Sequence, residues 1–91
     1  MKIVFAEHAA RDLDTIGDHI ALDSRASARL TLSRIGLEIR RLAQFPLLGR
    51  LGVIEGTREL VVRGTFIVVY RVHETEAFIE IVAIVRATQD R

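Results

Sequence analysis

The sequence predicts an α+β fold in which an N-terminal strand and a two-helix hairpin pack on a three- to four-stranded antiparallel sheet. Three observations predict it. A short β-type run opens the chain, the next segment repeats apolar side chains at helical spacing, and the second half contains strand-like runs separated by short turns. The chain has 91 residues, about half of them apolar, which is enough for one small core. We therefore expect residues 1–91 to form a single domain.

A change of period near Glu7 separates the first strand from the first helix. The run Lys2–Ala6 is short, apolar and β-type. After it, one helix face is marked by apolar residues spaced four, three and four apart, namely Ala9, Leu13, Ile16 and Ile20. The aspartates of this helix fall off that face and are expected to be solvated; they are Asp12, Asp14 and Asp18.

A second, longer helix is predicted from about Arg25 to Gln44. Asp23 or Ser24 can cap its N-terminus, and Pro46 ends it because proline disfavours helix in the residue before it. Its main apolar stripe consists of Ala28, Leu32, Ile35, Ile39 and Leu42. A second stripe to one side consists of Leu30 and Leu37. A helix this apolar should be covered on more than one side, and the first helix supplies one of those contacts as an αα-hairpin.

The second half of the chain is predicted to form the sheet. A glycine-punctuated loop follows Pro46 and has room for a short strand at Leu51–Ile54. Three further strands are expected at Arg58–Arg63, Phe66–Val72 and Phe78–Val85. Because the turns between them are short, an antiparallel meander is favoured.

The turn at Gly64-Thr65 decides which side chains share a face of the sheet. A two-residue turn there places Arg63 opposite Phe66 and fixes the register of the hairpin. The face covered by the helices would then be apolar and contain Leu60, Val62, Ile67, Val69, Ile79, Ile81, Ala83 and Val85. This arrangement avoids burying the charged side chains of the last strand, which would be costly without partners.

The opposite face of the sheet is predicted to be the working surface. Arg63 and Arg86 project from it near the turn, whereas Glu59, Tyr70 and Glu80 line up at its far end. The apolar residues between these ends are Val61, Phe66, Val68, Val82 and Ile84. So many apolar side chains should not stay uncovered, and we expect another part of the chain, a second copy or a partner to cover them. The arginine pair suits a phosphate or carboxylate anion, and pairing with carboxylates of a partner protein explains it equally well.

Arg58 and Arg71 are predicted to face each other at the far end of the hairpin. Two like charges directly opposed are destabilising unless anions lie nearby. The available carboxylates are Asp12, Asp14, Asp18 and Glu55. We therefore expect Arg58 and Arg71 to belong to a structural charge network.

Composition and spacing argue against most enzymatic chemistry. The chain has no cysteine, which excludes disulfides, zinc–thiolate sites and thiol catalysis. Its three histidines are not at metal-ligand spacing, and no Ser/His/Asp order suggests a triad. We expect no metal, no cofactor and no catalytic residue. The net charge of +1 gives no global attraction to nucleic acid.

Neither targeting nor membrane insertion is indicated by the sequence. The apolar run at the start is too short for a signal peptide and meets acidic residues at once. No segment reaches the length needed to span a bilayer. We therefore expect a soluble cytoplasmic protein with no membrane partner.

Several motifs, in this order, resemble the RelE/ParE superfamily of type II toxin–antitoxin toxins. The sequence "DLDTIGDHIALDSRASARL" is followed by "LAQFPLLGRLG", "GTRELVVRGTFIVVYRV" and "IVAIVRATQDR". The aspartate-rich first helix, the "P..GR.G" loop, "GTREL", "YRV" and the terminal "V-x-x-x-Q" segment are most similar to ParE, the toxin of ParDE systems. The resemblance covers nearly the whole chain and implies the same strand, helix hairpin and antiparallel sheet.

The resemblance also implies a mode of action. RelE-like members cleave mRNA in the ribosome with basic residues and commonly a C-terminal tyrosine, and Arg63 and Arg86 resemble two of their arginines by position. Here the expected lysines before the third strand are absent, no tyrosine follows Arg86, and many relatives carry histidine at the Arg86 position. The resemblance therefore implies a non-enzymatic toxin, similar to the ParE relatives that poison DNA gyrase.

A ParE-like toxin implies growth inhibition, a role in plasmid stabilization and a ParD-like antitoxin. Such an antitoxin has a ribbon-helix-helix domain, which supplies the DNA contacts of the hetero-oligomer, and an acidic tail that folds over the toxin. The residues expected to bind target or antitoxin are Arg63, Phe66, Val68, Val82, Ile84, Arg86 and Gln89, the last because the extreme C-terminus is implicated in toxicity in that branch. Two alternatives remain: a ribosome-dependent mRNA endonuclease, and a non-toxic binding module of the same fold.

Overall fold

Two helices lie on one face of a five-stranded sheet in the computed structural model, which describes residues 1–87. The elements in chain order are β1 Lys2–Phe5, α1 Glu7–Ala21, α2 Arg25–Leu42, β2 Arg50–Leu51, β3 Arg58–Val62, β4 Phe66–His73 and β5 Phe78–Arg86. The predicted α+β class, the N-terminal strand and the helix hairpin are confirmed. The sheet has more strands than predicted because β1 joins it.

The longer helix shows how local signals set the bounds of the helices. Ser24 has an extended backbone and its side chain accepts a hydrogen bond of 3.0 Å from the Ser27 amide, so Ser24 is the N-cap. The last turn carries Arg40 and Arg41, which complement the negative end of the helix dipole. Neither helix of the described region is long and apolar enough to cross a membrane.

The sheet is mixed rather than purely antiparallel. Its strand order is β1-β5-β4-β3-β2. The two hairpins that join β3, β4 and β5 are antiparallel, and β2 pairs with β3 in the same sense at one edge. At the other edge, β1 runs parallel to β5, with Ile3 opposite Ile79. The first and last strands within residues 1–87 are therefore neighbours.

The predicted register of the β3–β4 hairpin is wrong by one residue. Val62, rather than Arg63, lies opposite Phe66. Three residues connect these two positions, and Arg63 and Gly64 adopt positive φ angles of 54° and 71°. Since side chains alternate along a strand, this shift turns every residue of β4 to the face opposite to the predicted one.

A β-bulge at Val82 produces a second departure, in β5. Val69 lies opposite Ala83 and Tyr70 opposite Ile81, so Val82 is the extra residue. Before the bulge, the prediction that Ile79 and Ile81 face the helices is confirmed by their complete burial. After the bulge, even-numbered instead of odd-numbered residues of β5 face the helices, so Ile84 is buried. Two residues predicted for the core, Ala83 and Val85, are on the outer face for the same reason.

The core between sheet and helices therefore contains residues from both predicted faces. Its buried members are Ala9, Ile35, Ile39, Leu42, Leu60, Val62, Phe66, Val68, Tyr70, Ile79, Ile81 and Ile84. Ile67 and Val69, which were predicted to belong to it, are half-buried on the outer face. The outer face remains apolar at its centre, as expected, but with a different set of side chains.

Asp12 ties the first helix to the bulged strand. Its side chain is 22% exposed, and Oδ2 accepts a hydrogen bond of 2.9 Å from the Ile84 amide. A bulge interrupts the ladder of hydrogen bonds, and a buried amide without a partner is costly. The carboxylate supplies that partner from α1, so Asp12 is a structural residue and not part of a solvated face.

Candidate functional site

A basic pocket lies at the turn end of the β3–β4 hairpin, beneath α2. The cavity measures about 290 Å³ and is lined by Thr31, Arg34, Ile35, Val62, Arg63, Thr65 and Phe66. The guanidinium carbon of Arg86 lies 5.2 Å from the centre of the Phe66 ring, which is a cation–π distance. Phe66 thus lines the cavity together with Arg63 and Arg34 of α2, and it contacts Arg86 through its ring. We call this site the basic pocket.

The charges of the basic pocket are not balanced from within the described chain. Among residues 1–87, no carboxylate lies within ion-pair distance of Arg34, Arg63 or Arg86. All three side chains are exposed. Guanidinium groups remain charged and present planar donors that match carboxylate or phosphate oxygens. The arrangement is therefore suited to binding an anionic group of another molecule.

Proton-transfer groups do not line the basic pocket in the described part of the chain. Its lining has no histidine, carboxylate or tyrosine, so it can hold an anion but offers no general base. A histidine–carboxylate pair does occur on the sheet: His73 Nε2 lies 2.9 Å from Glu80 Oε1. This pair is at the other end of β4, about 23 Å along the strand from Phe66, and on the other face.

The sequence did not identify Arg34 as part of this site. It lies on α2, far along the chain from the turn, and only the fold brings it to Arg63. One signal was present in the sequence. Thr31 and Arg34 are polar residues one helical turn apart, next to the core residue Ile35, and such a pair at the margin of an apolar stripe tends to face a cleft.

Three of the predicted binding residues lie in the core instead of on the outer face. Phe66, Val68 and Ile84 are buried beneath the helices, because the register shift and the bulge turn them inward. Val82 is half-buried at the bulge. Gln89 lies outside the described residues. The outer face instead presents a set of half-buried or exposed apolar side chains: Val61, Ile67, Val69, Ala83 and Val85.

The predicted network of Arg58 and Arg71 differs from the observed one. The two arginines are not opposed: Arg58 lies opposite Tyr70 and Arg71 opposite Glu80. Each donates to a backbone carbonyl, Arg58 to Gly49 at 2.8 Å and Arg71 to Glu55 at 3.3 Å. Within residues 1–87 neither guanidinium has a carboxylate within ion-pair distance. Arg58 therefore holds the segment just before β2, and Arg71 holds the loop between β2 and β3.

Tyr70 is the centre of this second cluster, which we call the tyrosine clasp. Its ring is fully buried. The hydroxyl donates to the Pro46 carbonyl at 2.7 Å and accepts from the Gly49 amide at 2.9 Å. Burial raises the pKa of the Tyr70 hydroxyl. The tyrosine clasp therefore fixes the segment that follows α2 to the middle of the sheet.

Comparison with known proteins identifies the family. The model of the family described as "ParE toxin of type II toxin-antitoxin system, parDE" matches residues 3–91. The protein named "Putative toxin Y4kP", from Sinorhizobium fredii, is 36% identical over 89 residues, which cover 97% of this chain and 90% of that protein.

Solved structures give the same answer at the level of the fold. A chain from the chromosomal ParDE toxin–antitoxin system of P. aeruginosa is 29% identical, with a TM-score of 0.86 and coverage of 97% of both chains. The RelBE2 complex of Mycobacterium tuberculosis contains a chain that is 22% identical, with a TM-score of 0.70 over 93% of this chain and 95% of that one. The family match and the 36% identical relative extend over almost the whole sequence. The chain therefore belongs to the family of ParE toxins of type II toxin–antitoxin systems.

Proposed function

We propose that this toxin inhibits DNA gyrase by binding it, without catalysing a reaction, and that a ParD-like antitoxin neutralises it. The observation that carries the non-enzymatic part is the basic pocket: Arg34 and Arg63 line it, Arg86 lies over the ring of its Phe66, and the described lining offers no general base. Arginine alone can stabilise an anion but transfers protons poorly, because its pKa is too high. Binding is therefore the favoured chemistry, and cytoplasmic gyrase is the target that the family suggests.

A supercoiling assay with purified gyrase tests the proposed target. We expect the toxin to inhibit supercoiling or to trap a cleavage complex, and we expect the purified antitoxin to relieve the effect. The control is gyrase with antitoxin and without toxin, which should supercoil DNA normally. Normal supercoiling at a large excess of toxin, without a trapped complex, would contradict gyrase as the target.

The antitoxin is proposed to place an acidic segment on the basic pocket. Arg34, Arg63 and Arg86 provide three positive charges, and carboxylates of a disordered segment could bind them as it folds onto the toxin. The ParDE system of P. aeruginosa, at 29% identity, supports an antitoxin of the ParD type. The pair would act in growth inhibition and plasmid stabilization, with DNA contacts made by the antitoxin.

Affinity measurements with single variants test the antitoxin contact. Arg63→Ala and Arg34→Ala should each weaken binding of the antitoxin about tenfold or more, and the loss should shrink at high salt. Arg25→Ala is the matched control, because Arg25 is an exposed arginine at the far end of α2. Equal effects of all three substitutions would show that the charge acts only at long range.

Ribosome-dependent cleavage of mRNA is the second candidate function. It is favoured by one observation: Arg34 and Arg63 line a cavity that suits a phosphate, with Arg86 beside it over the Phe66 ring. Primer extension on translated mRNA, with and without Arg86→Ala, distinguishes the two functions. Cleavage by the wild type that disappears in the variant would replace the gyrase proposal with this one.

A further inference from the structure

One apolar stripe of α2 remains uncovered in the structure. The main stripe is covered, since Ile35, Ile39 and Leu42 are buried in the core. The second stripe predicted from the sequence is not: Leu30 is 51% exposed and Leu37 is 55% exposed. These two leucines are seven residues apart, about 10 Å along the helix axis, and therefore lie on the same side of α2. The additional contact that the sequence predicts for this stripe is not made within residues 1–87.

The uncovered stripe adjoins the basic pocket. Arg34 lies between the two leucines, four residues after Leu30 and three before Leu37. Arg34 also lines the basic pocket. Arg41 lies one helical turn after Leu37. We call the surface formed by Leu30, Arg34, Leu37 and Arg41 the α2 ridge. A segment bound at the basic pocket is therefore next to the α2 ridge.

The α2 ridge and the basic pocket together carry a surplus of positive charge. Glu38 is the only carboxylate of α2, and it pairs with Arg41 at 2.8 Å. Among residues 1–87, Arg34 has no carboxylate within ion-pair distance. The lining of the basic pocket adds Arg63 and contains no carboxylate. One glutamate thus stands against three arginines on this part of the surface.

The opposite end of α2 shows no such surplus. Arg25 and Arg29 line a groove between the two helices. Asp14 and Asp18 of α1 line the same groove, so the two positive charges are balanced by two negative ones. The unbalanced charge of α2 is therefore at the end that carries Arg34, beside the exposed leucines.

These features favour an acidic amphipathic helix as the occupant of the α2 ridge. The side of a helix has no free backbone hydrogen-bonding groups, so a segment that covers Leu30 and Leu37 has to satisfy its own backbone, as a helix does. Apolar residues one heptad apart would contact both leucines. Carboxylates beside them would contact the arginines, as charged residues that flank an apolar seam do.

A second copy of this chain does not fit the same surface. Two copies of α2 packed through their ridges would place arginines against arginines, which is repulsive. The acidic helix α1, which lies wholly within the described residues, exposes no large apolar side chain to cover the leucines. The occupant therefore comes from another protein.

We propose that an amphipathic helix in the acidic segment of the antitoxin docks along the α2 ridge, with two apolar residues seven apart on Leu30 and Leu37 and carboxylates beside Arg34 and Arg41. The inference rests on the proposed function, because it extends the antitoxin contact from the basic pocket onto α2. The antitoxin contact then has two parts. The basic pocket binds carboxylates, and the α2 ridge adds the burial of apolar surface.

Leu37→Ala tests the apolar part of the contact in the intact toxin. Affinity for the purified ParD-like antitoxin, measured by isothermal titration calorimetry, should fall about tenfold, as expected when one leucine is no longer buried on binding. Leu22→Ala is the matched control, because Leu22 is 81% exposed and lies off the ridge, just after α1. It should bind like the wild type. Both variants should melt within about 2 °C of the wild type, because at least half of each substituted side chain is exposed.

Arg41→Gln tests the charge of the ridge. It leaves Glu38 without its partner and next to the carboxylates of the antitoxin, so affinity should fall about tenfold, and the loss should be smaller at high salt. Arg11→Gln is the matched control. Arg11 forms a similar pair on the surface of α1, with Glu7 at 3.3 Å, and its loss should leave the affinity unchanged.

Photo-crosslinking tests whether the occupant is a helix. A photoreactive side chain placed at position 30 or position 37 should capture antitoxin residues that are about seven apart, because both helices rise equally per residue. Captured residues about three apart would show an extended segment and contradict the helix, because a strand covers the same distance in fewer residues.

Three further results would overturn the inference. Wild-type affinity in Leu37→Ala, with weakened binding in Arg63→Ala, would confine the antitoxin to the basic pocket. Loss of growth arrest in Leu37→Ala at unchanged antitoxin affinity would assign the ridge to the target. Crosslinks to another toxin molecule would assign it to self-association. If the wild-type toxin binds no ParD-like antitoxin, the proposed function itself fails, which separates that failure from failure of the ridge alone.

Discussion

Both ends of the β3–β4 hairpin carry arginines, but the partners of these arginines differ. At the tyrosine clasp, Arg58 donates to the carbonyl of Gly49 inside the same chain. At the basic pocket, Arg63 and Arg86 have no carboxylate partner within residues 1–87; Arg63 lines an open cavity, and Arg86 lies over the ring of Phe66, which also lines it. The same residue type is structural where the chain supplies an acceptor, and it is available to a ligand where the chain does not.

The largest effect should follow from Gly49→Ala, which breaks the tyrosine clasp. An added Cβ at Gly49 would lie 2.8 Å from the Glu59 carbonyl oxygen and 2.9 Å from the Tyr70 ring. Backbone and ring cannot both move away, so we expect a loss of about 3 kcal/mol in the free energy of unfolding. Denaturant unfolding measures it. The control is Gly36→Ala on α2, where the nearest atom would be 3.8 Å away and stability should rise slightly. Similar losses in both variants would show that the clasp is not closely packed.

Tyr70→Phe sharpens the comparison by removing only the hydroxyl of the clasp. The Pro46 carbonyl and the Gly49 amide would lose their partner in a buried environment. We expect a loss of about 2 kcal/mol, equivalent to a fall of roughly 10 °C in the melting temperature of a domain this size. Differential scanning calorimetry measures it. A melting temperature within 2 °C of the wild type, by contrast, would mean that solvent replaces the hydroxyl.

Alkaline pH should weaken the clasp in the wild type. Burial raises the pKa of the Tyr70 hydroxyl, so the folded state favours its neutral form. The corresponding stability is complete below the ordinary pKa of about 10 and is lost as the pH rises through the folded-state pKa. Tyr70 is the only tyrosine and the chain has no tryptophan, so ultraviolet absorbance reports this group alone. Ionisation at the ordinary pKa with the fold intact would contradict a buried hydroxyl.

The smallest effects on stability should occur at the basic pocket. Arg58→Ala removes a charged donor from the clasp and should cost about 1.5 kcal/mol. Arg63→Ala should change the free energy of unfolding by less than about 0.5 kcal/mol, because its side chain is exposed and has no internal ion pair in the described region. Parallel urea titrations of the two variants measure the difference. Equal losses would remove the distinction between the two ends of the hairpin.

The helices and β3 could be predicted from the sequence because their periodicity is uninterrupted. Ile35 and Ile39 follow the 3.6-residue period, and Leu60 and Val62 alternate with outward residues. The phase of β4 could not be predicted in the same way. Arg63 adopts a positive φ of 54°, which is uncommon for a residue with a Cβ. The sequence therefore favoured a two-residue turn at Gly64-Thr65, with Arg63 still in β3, over the observed three-residue connection.

The candidate site was predicted in part, for a related reason. Arg63 and Arg86 were identified from their charge and their position near the turn, but both were expected on the outer face. That expectation is wrong for Arg86, which lies opposite the buried Phe66 and shares its helix-covered face. Phe66, Val68 and Ile84 were placed outside because their faces depend on the turn and on the bulge at Val82. No periodic signal marks a bulge in a continuous apolar run, since both phases of the strand are apolar. Arg34 joins the pocket only through tertiary structure.

The parallel pairing of β1 with β5 affects how the protein can be made. Hairpins can assemble β3, β4 and β5 from neighbouring segments, but β1 can pair only after β5 has been synthesised. The hydrogen bond from the Ile84 amide to Asp12 has the same requirement. Contacts between the two extremes of a chain form slowly and late. During translation the molecule therefore remains incomplete until β5 emerges from the ribosome, and a truncated product ending before Phe78 would leave both β1 and α1 without their sheet partner.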